Sequence, residues 1–510
     1  MPEQANKPST QYDLLVVGGG INGTGIAADA AGRGLSVLLC EAEDLASATS
    51  SASSKLIHGG LRYLEQYEFG LVRKALAERE ILLNKAPHLI SPQRFILPHA
   101  PHLRPQWMIR AGLFLYDHLS TRSKLPASQR IKLSENSPLQ ATFKIGFSYY
   151  DCWVDDARLV VANALAAKEK GATILTQTNC TQAKATQQGW QATLTDKQGH
   201  TISVQAKLLV NATGPWAQSF IEDNLALSSP KKIRLVKGSH LIIKRRPGFN
   251  QDAYILQNKD QRVIFVIPYL DDYLMIGTTD ENFEGDPREA SLSEREKNYL
   301  IQVYNGYFKQ AIQANDICAD FAGVRPLIDD NENNPADVTR DYTLEMQWVT
   351  EQSPLLSVFG GKLTTYRRLA GAAMKKIKVI FPALGPEWTS KAPLPGGAFD
   401  PQQWPALTNK LARQLHWMDA PTINRLLKSY GVTAFTIFNH ANSSKSMGIY
   451  FGHGLSAMEV DYLCKMEWAT SADDILWRRS KLGLVFNEDQ KQILSDYLNK
   501  QAIPSPLSFI

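Results

Sequence analysis

The segment after residue 12 constrains the fold more than any other part of this sequence. An apolar run at 13–17 leads into a glycine turn at 18–25, and a second apolar run at 35–40 follows a stretch in which Ala and Ile recur at helical spacing. Gly34 can end that helix as a C-terminal cap. Strand, glycine turn, helix and strand within about thirty residues form the mononucleotide-binding unit of α/β folds.

Three glycines in this turn stand where a dinucleotide requires them. Gly18 permits the tight turn out of the strand, Gly20 lets the backbone approach a pyrophosphate, and Gly23 lets the helix lie close to the sheet. Glu41 follows the second strand, where its carboxylate can bind ribose hydroxyls and would repel a 2′-phosphate. A glycine-rich turn that only packs a helix is the alternative, but both flanking strands and the acid favour a dinucleotide site.

Two later motifs favour FAD over NAD as this dinucleotide. Residues 211–214, Asn-Ala-Thr-Gly, end an apolar strand, and residues 360–365, Gly-Gly-Lys-Leu-Thr-Thr, begin a helix after another strand. A sheet assembled from distant segments, with a second helix N-terminus near the ligand, suits a flavin dinucleotide, whereas NAD enzymes more often carry one contiguous domain. The predicted FAD contacts besides Gly18, Gly20, Gly23 and Glu41 are Thr49, Ser50, His58, Ala212, Gly214, Gly361, Lys362, Leu363 and Thr364.

Hydrophobic periodicity organises the rest of the chain. Strands predicted over 172–214 form a small β-meander, and near-alternation over 233–280 predicts an antiparallel sheet. A Pro- and Gly-rich segment near 391–405 is a candidate linker, and the chain after it is predicted to be helical. Further helices are predicted over 70–90, 155–171 and 293–313.

Composition and charge exclude several classes of protein. The chain has 55 Lys and Arg against 50 Asp and Glu, a formal net charge of +5, and its basic residues are dispersed. A nucleic-acid-binding flavoprotein would need a continuous basic stripe with stacking aromatics, so nucleic acid is not a predicted partner. Five scattered cysteines without a CxxC pair predict no metal site and suit a reducing compartment. No apolar run approaches the roughly 18 residues of a membrane-spanning helix.

Basic side chains beside the glycine turns predict an anionic substrate next to the flavin. A guanidinium group binds phosphate or carboxylate through two parallel hydrogen bonds, and Lys adds a point charge. For any single Arg a surface ion pair is the favoured alternative, and Arg325, which precedes a Pro among apolar residues, is the least surface-like. The candidates are Arg62 and Tyr63 in HGGLRY, Arg325 in FAGVRP, Arg340 in VTRDY and Lys362 in FGGKLTT.

Two histidines are candidates for a general base. An imidazole suits proton removal near neutral pH. His58 lies in a Ser-rich loop after the first unit, and such a loop can run beneath a flavin, whereas His240, after Lys-Gly-Ser, has weaker support. A core histidine bonded to a backbone carbonyl explains His58 equally well from the sequence alone, so both interpretations stay open.

Nine segments, in order from residue 13 to the C-terminal region, are specific as a set. They are GGGINGTGIAADAAGRGLSVLLCEAEDLASATSSASSKLIHGGLRYLE, YYDCWVDDARLV, LVNATGPW, KGSHLI, FVIPYLDDYLMIGTTD, GVRPL, TRDYTL, LLSVFGGKLTTYRRLA and ADDILWRRSKLG. Together these segments closely resemble the family of bacterial FAD-dependent, aerobic sn-glycerol-3-phosphate dehydrogenases.

The resemblance implies an α/β fold with a Rossmann-like FAD-binding domain of the glutathione-reductase type, an antiparallel-sheet substrate-binding domain and a C-terminal α-helical cap. It implies oxidation of sn-glycerol 3-phosphate to dihydroxyacetone phosphate in glycerol catabolism, with the hydride passing to flavin N5 and the electrons to a membrane quinone of the respiratory chain. It also implies a homodimer, bound peripherally to the anionic inner face of the cytoplasmic membrane. The implied catalytic residues are His58, Arg325 and Lys362, and the implied substrate-binding residues are Arg62, Tyr63, Arg340, Thr364 and His240.

Motifs and resemblance together set the expected domain boundaries. The FAD-binding and substrate-binding domains are each expected to be discontinuous. The predicted ranges are 1–12 for a flexible leader, 13–70, 150–220 and 353–390 for the FAD-binding domain, 71–149 and 221–352 for the substrate-binding domain, and 391–510 for the C-terminal helical domain.

Two questions stay open at this point: whether residues 103–124 contact the membrane, and whether the electron acceptor is a quinone or oxygen. Residues 103–124 interleave aromatic and aliphatic side chains with Arg and Lys, a pattern that suits an anionic membrane interface. An ordinary buried helix with a solvated end fits the same residues equally well. An oxidase of the same fold, which reduces oxygen to peroxide, is the alternative to a quinone-linked dehydrogenase.

Overall fold

The structure is a computed structural model, and it describes residues 10–64, 67–100, 104–119, 125–258, 260, 262–329, 341–501 and 505–509. Its strands are β1 (Gln11–Val17), β2 (Val37–Cys40), β3 (Leu56–Ile57), β4 (Ile90–Pro98), β5 (Gln129–Lys132), β6 (Ile145–Val154), β7 (Thr173–Leu175), β8 (Thr178–Thr186), β9 (Gly189–Asp196), β10 (Thr201–Asn211), β11 (Ile233–Lys244), β12 (Ala253–Gln257), β13 (Val263–Tyr269), β14 (Tyr273–Gly277), β15 (Glu281–Asn282), β16 (Ile317–Ile328), β17 (Thr343–Trp348), β18 (Pro354–Phe359), β19 (Tyr450–Gly452) and β20 (Leu455–Ser456). Its α-helices are α1 (Ile21–Gly32), α2 (Phe69–Lys85), α3 (Gln106–His118), α4 (Asp156–Glu169), α5 (Ala217–Ser219), α6 (Glu294–Tyr307), α7 (Tyr366–Ile377), α8 (Trp404–Gln414), α9 (Ala420–Tyr430), α10 (Ala434–Ile437), α11 (Ala457–Glu467) and α12 (Glu488–Lys500).

The first sheet contains the strands that flank the glycine turn. Its order is β17-β18-β10-β1-β2-β7, and all of these except β17 run parallel. Helices α1, α4 and α7 bury one face, and the opposite face packs against the antiparallel hairpin of β8 and β9. Parallel strands covered on both faces read as continuous apolar runs, which is why these strands are recognisable in the sequence. The arrangement confirms the α/β fold class.

The predicted meander over 172–214 is only partly correct. Strands β8, β9 and β10 are antiparallel neighbours, but β7 pairs in parallel with β2. Strand β7 follows α4 directly, and a strand that returns through a crossover helix joins its sheet in parallel.

The second sheet is the antiparallel sheet predicted from the alternation over 233–280. Its order is β15-β11-β14-β13-β12-β4-β6-β3, with β16 beside β11 and β5 beside β6, and β12 with β4 is its parallel pair. Helix α6 covers one face through Tyr304 and Val303. The other face, which includes Phe95 and Met275, packs toward α2 and α3.

Strand pairing moves the domain boundaries away from the predicted ones. Strand β3 and the last residues of β6, which the sequence assigns to the FAD-binding domain, pair within the second sheet. Strand β17, which the sequence assigns to the substrate-binding domain, pairs with β18 in the first sheet. In each case the partner strand lies far away in the sequence or carries no recognisable pattern. Local composition therefore does not predict the pairing.

The C-terminal region is helical, as predicted, and has its own core. Leu411, Phe438 and Leu463 are fully buried within it. Buried ion pairs join this region to the first sheet: Arg158 of α4 pairs with Glu467, and Arg479 Nη2 lies 2.7 Å from Asp44 Oδ1.

The candidate linker near 391–405 is a packed segment and not a free linker. The backbone N–H of Leu394 donates to the Lys85 carbonyl at 2.9 Å, and that of Val432 donates to the Gly396 carbonyl at 3.0 Å. A Cβ at Gly396 would lie 2.2 Å from the Tyr430 carbonyl oxygen. Glycine is therefore required here by a close backbone approach, and not by flexibility.

Candidate active site

A cavity of about 1800 Å³ lies between the two sheets. Val17, Cys40 and Ala212 line it from the carboxyl ends of β1, β2 and β10, and Phe265 and Phe321 line it from the second sheet. Ligands of open α/β sheets bind at the carboxyl ends of the strands, so the cavity has the position of a dinucleotide site.

The glycine turn makes the contacts that its spacing predicts. Gly18 has a φ of +113°, and a Cβ on it would lie 2.5 Å from the Ala212 carbonyl oxygen. A Cβ on Gly23 would lie 1.9 Å from the Gly18 carbonyl oxygen. Helix α1 can therefore approach the turn this closely only with glycine at both positions, and its N-terminus is aimed at the cavity.

A second loop covers the N-terminus of α1. The backbone N–H of Ile21 donates to Ser50 Oγ at 3.0 Å, and Thr49 Oγ1 donates to the Val324 carbonyl at 2.6 Å. Gly20, Thr49 and Ser50 all line the cavity. The Ser-rich loop therefore links the glycine turn to β16 of the second sheet.

The Glu41 carboxylate is held at the end of β2. Its Oε2 accepts from the Gly19 N–H at 2.6 Å, and its Oε1 accepts from the Glu43 N–H at 2.9 Å. Burial raises the pKa of Glu41, and these two hydrogen bonds oppose that effect. The carboxylate lines the cavity in a fixed orientation, as the predicted contact with ribose hydroxyls requires.

The late glycine turn meets the first one through Asn22. Asn22 Nδ2 donates to the Gly360 carbonyl at 3.2 Å, and a Cβ on Gly361 would lie 2.7 Å from that nitrogen. Asn22 Oδ1 is buried, lines the cavity and accepts no hydrogen bond from the described residues. A buried acceptor in this position suits a bound ligand that offers a polar hydrogen. Asn22 lies inside the glycine fingerprint, but sequence reasoning did not single it out.

Comparison with known proteins agrees with this geometry. The family model described as FAD dependent oxidoreductase matches residues 13–367, and the one described as C-terminal domain of alpha-glycerophosphate oxidase matches residues 388–499. The chain is 55% identical over 502 residues to a glycerol-3-phosphate dehydrogenase of Pseudomonas aeruginosa. This match covers 98% of each of the two chains. It is 50% identical to the aerobic glycerol-3-phosphate dehydrogenase of Escherichia coli, over 95% of this chain and 97% of that protein. The chain belongs to this family of FAD-dependent oxidoreductases.

A solved structure agrees with the assignment of the family. The glycerol-3-phosphate dehydrogenase from Bacillus halodurans, complexed with FAD, superimposes with a TM-score of 0.77 at 27% identity, over 98% of this chain and 93% of that one. FAD is accordingly the cofactor of this flavoprotein. Of the predicted FAD contacts, Gly23 packs beneath the glycine turn, and the others line the cavity.

Arg325 lines the cavity from β16 of the second sheet. Its guanidinium forms an ion pair with Asp280, and Nη2 donates to Thr278 Oγ1 at 3.0 Å. A Cβ on Gly238 would lie 2.4 Å from Nη2, so the glycine of the KGSH motif makes room for this side chain. The sequence sets Arg325 apart from surface arginines but does not reveal Asp280 as its partner, and the predicted contact of Arg325 with the substrate stays a prediction.

The two candidate histidines occupy different places. His58 lines the cavity, whereas His240 is buried behind the wall, with Nε2 2.9 Å from Ser54 Oγ and its ring stacked on Phe321 at 4.7 Å. Burial lowers the pKa of His240 well below its usual range, and the charges of Arg325 and Lys55 act in the same direction. His240 is not among the residues that line the cavity, and its predicted contact with the substrate stays a prediction.

The remaining candidates are only partly described. Lys362 and Thr364 line the cavity at the late glycine turn. The side chains of Arg62 and Tyr63, and the whole of Arg340, lie outside the described residues. Their predicted contacts with the substrate stay predictions.

A buried lysine in the cavity wall escaped sequence reasoning. Lys55 Nζ donates to Asp156 Oδ1 at 2.8 Å and to the Ser51 carbonyl at 2.9 Å, and it lies 5.2 Å from the Phe321 ring centre. The sequence contains a clue to this role, because a single buried cation in a Ser-rich loop needs a buried anion as its partner. The partner lies 101 residues away, beyond the reach of local patterns.

Proposed function

We propose that the protein oxidises sn-glycerol 3-phosphate to dihydroxyacetone phosphate. The supporting observation is that a single cavity is lined by the dinucleotide turn and by His58, Arg325 and Lys362. A base and two cations beside a flavin suit a substrate that carries both a phosphate and a hydroxyl to be oxidised. The names of the relatives agree with this substrate.

Each side chain at the site has its own role in the proposed reaction. Bound FAD supplies the hydride acceptor for the carbinol carbon. His58 takes the hydroxyl proton as the alcohol is oxidised, and the Arg325 guanidinium, which Asp280 and Thr278 orient, attracts the phosphate. Lys362, at the late glycine turn, stabilises negative charge that develops on the substrate oxygen.

The test of the substrate is anaerobic bleaching of the flavin. Glycerol 3-phosphate should bleach the visible band and glycerol should not, because glycerol has no anion for Arg325. Replacing Arg325 with Ala removes a charge-assisted contact worth about 1.5–3 kcal/mol. The kcat/KM should then fall tenfold or more, since each 1.4 kcal/mol is about a factor of ten.

The flavin content of Arg325→Ala should equal that of the wild type. Arg262→Ala is a matched control, because Arg262 pairs with Asp260 at 3.1 Å and does not line the cavity. Normal kinetics in Arg325→Ala would place this residue outside the phosphate site, and a flavin that glycerol 3-phosphate does not bleach would refute the substrate itself.

We propose that a membrane quinone is the electron acceptor. We propose that it reaches the flavin cavity beside α3. Trp107 and Phe114 are 70% and 54% exposed, and Leu115 is exposed beside them, which supports a membrane-facing role for α3 over the ordinary buried helix of the alternative interpretation. Trp107 and Leu115 also line the mouth of the cavity. An exposed apolar helix beside a flavin cavity suits peripheral insertion into a lipid surface. Within the described ranges no helix is long and apolar enough to cross a bilayer.

Vesicle binding tests the role of α3. Phe114→Ser should weaken binding to anionic vesicles in co-sedimentation by about fivefold to tenfold, because a half-exposed Phe loses about 1–1.4 kcal/mol of apolar burial. Oxidation of glycerol 3-phosphate with a soluble dye should stay normal. Trp348→Ser is the matched control, since Trp348 is 52% exposed on β17, away from α3. Equal losses in both variants would contradict the proposed surface.

The electron acceptor is decided by product analysis. Reduced enzyme that reoxidises with quinone and yields little peroxide supports the dehydrogenase, whereas stoichiometric peroxide supports the oxidase alternative. The homodimer and the location at the inner face of the cytoplasmic membrane stay predictions.

A further inference from the structure

A buried hydrogen-bond network runs from α3 to the turn that carries His58. Tyr116 Oη on α3 lies 2.7 Å from Asp151 Oδ2 on β6, and the Gly59 N–H donates to Tyr116 Oη at 2.9 Å. Arg79 Nη1 on α2 donates to Asp151 Oδ1 at 2.7 Å. Tyr116, Asp151 and Arg79 are each at most 2% exposed. Three separate elements therefore converge on the residue that follows His58.

The directions of these hydrogen bonds are fixed. A backbone N–H can only donate, so the Tyr116 oxygen is the acceptor from Gly59. The hydroxyl proton is then directed to the Asp151 carboxylate, which Arg79 neutralises. Burial raises the pKa of Tyr116 well above its usual range, and the charge of Asp151 adds to this effect. The phenol therefore keeps its proton and remains a bridge between the carboxylate and the turn.

Both residues after His58 have a structural requirement for glycine. A Cβ on Gly59 would lie 2.6 Å from Tyr116 Oη and 2.5 Å from Leu76 Cδ2. Gly60 has a φ of +73°, a conformation that other residues rarely adopt. The His-Gly-Gly sequence thus lets α2 and α3 approach the backbone of the turn as closely as glycine allows.

We propose that Tyr116 is a positioning residue for His58. Together with Asp151 and Arg79 it holds the Gly59 N–H, and so sets where the neighbouring imidazole stands in the cavity. The proposal rests on the proposed role of His58 as the base. It assigns no contact between Tyr116 and the substrate, so substrate affinity is independent of the hydroxyl.

Anaerobic stopped-flow reduction of the flavin by glycerol 3-phosphate tests the proposal. Tyr116→Phe keeps the ring and removes the shorter hydrogen bond of the Gly59 N–H, leaving only the long contact with Asp151 Oδ1 at 3.4 Å. The limiting reduction rate should fall about tenfold, because a partial shift of His58 costs less than the roughly 10²-fold loss of a 1 Å misplacement. Substrate affinity and flavin content should stay within about twofold of the wild type, since neither depends on this hydroxyl. Tyr304→Phe is the matched control, because Tyr304 is fully buried on α6 and its hydroxyl has no partner among the described residues. A flavin-loaded Tyr116→Phe that reduces at the rate of Tyr304→Phe would overturn the proposal.

A double-mutant cycle separates this proposal from the role of His58. If Tyr116 acts through His58, then Tyr116→Phe should change the reduction rate by less than about twofold in a His58→Asn background. An equal slowing in both backgrounds would overturn the positioning role and leave His58 as the base. A normal rate in His58→Asn alone would instead refute the base, whatever Tyr116→Phe does.

Discussion

Replacing His58 with Asn should slow single-turnover reduction of the flavin by about 10²–10⁴-fold, the usual share of a positioned general base. Asn keeps a similar volume and a hydrogen-bonding end, but it cannot take the hydroxyl proton. Substrate affinity should change little, because in the proposed mechanism Arg325 and not His58 attracts the phosphate. Anaerobic stopped-flow on the flavin-loaded fraction measures the effect.

The pH profile gives this prediction a second readout. A general base acts in its unprotonated form, so the wild-type reduction rate should fall toward acid pH as the imidazole takes up a proton. His58→Asn should lose that limb of the profile. If His58 only supports its loop, the variant should lose FAD or thermal stability while the loaded fraction reduces at a near-normal rate.

A reduction rate within about threefold of the wild type would move the base elsewhere, since a positioned base contributes at least about 10²-fold. His240 is a poor successor, because it is buried behind the wall and bonded to Ser54. A water molecule held by Arg325 would then be the better candidate.

The local part of this site could be predicted from the sequence. The glycine turn, its flanking strands and Glu41 lie within one βαβ unit, and each role follows from a backbone requirement at a fixed spacing. The late turn at 360–365 was also recognisable, because a glycine pair between an apolar strand and a helix has few other uses. In both cases the residues that the ligand requires are also those that the local backbone conformation requires.

The long-range part could not be predicted. Asp280 pairs with Arg325 across 45 residues, and Tyr116 meets Gly59 across 57. Such partners depend on which strands and helices become neighbours, and no periodicity encodes that. The same limit explains the misplaced strand β17 and the unforeseen burial of His240, whose motif is visible but whose burial depends on β14 and β16 beside it.

Replacing Gly23 with Ala should abolish retention of FAD. The added Cβ would lie 1.9 Å from the Gly18 carbonyl oxygen, a backbone atom that cannot rotate away. Gly18 is itself held against the Ala212 carbonyl, so relief requires α1 to move away from the sheet. Overpacking of this kind costs about 1–3 kcal/mol or more. Here it would displace the N-terminus of α1, which is expected to bind the phosphates of FAD.

The ratio of flavin absorbance to protein absorbance after gel filtration measures this effect, and far-UV circular dichroism shows whether the fold survives. We expect the purified variant to retain little flavin after gel filtration, because roughly 1.4 kcal/mol or more at the cofactor site raises the Kd for FAD about tenfold or more. Gly371→Ala is the matched control, because Gly371 lies within α7 with no atom near its added Cβ. That substitution should leave flavin content unchanged and raise stability by about 0.5–1 kcal/mol, since Ala is the better helix former. A folded Gly23→Ala protein with full flavin would show that α1 can withdraw from the turn without disturbing the cofactor, and the close contact between Gly23 and Gly18 would then be a matter of packing alone.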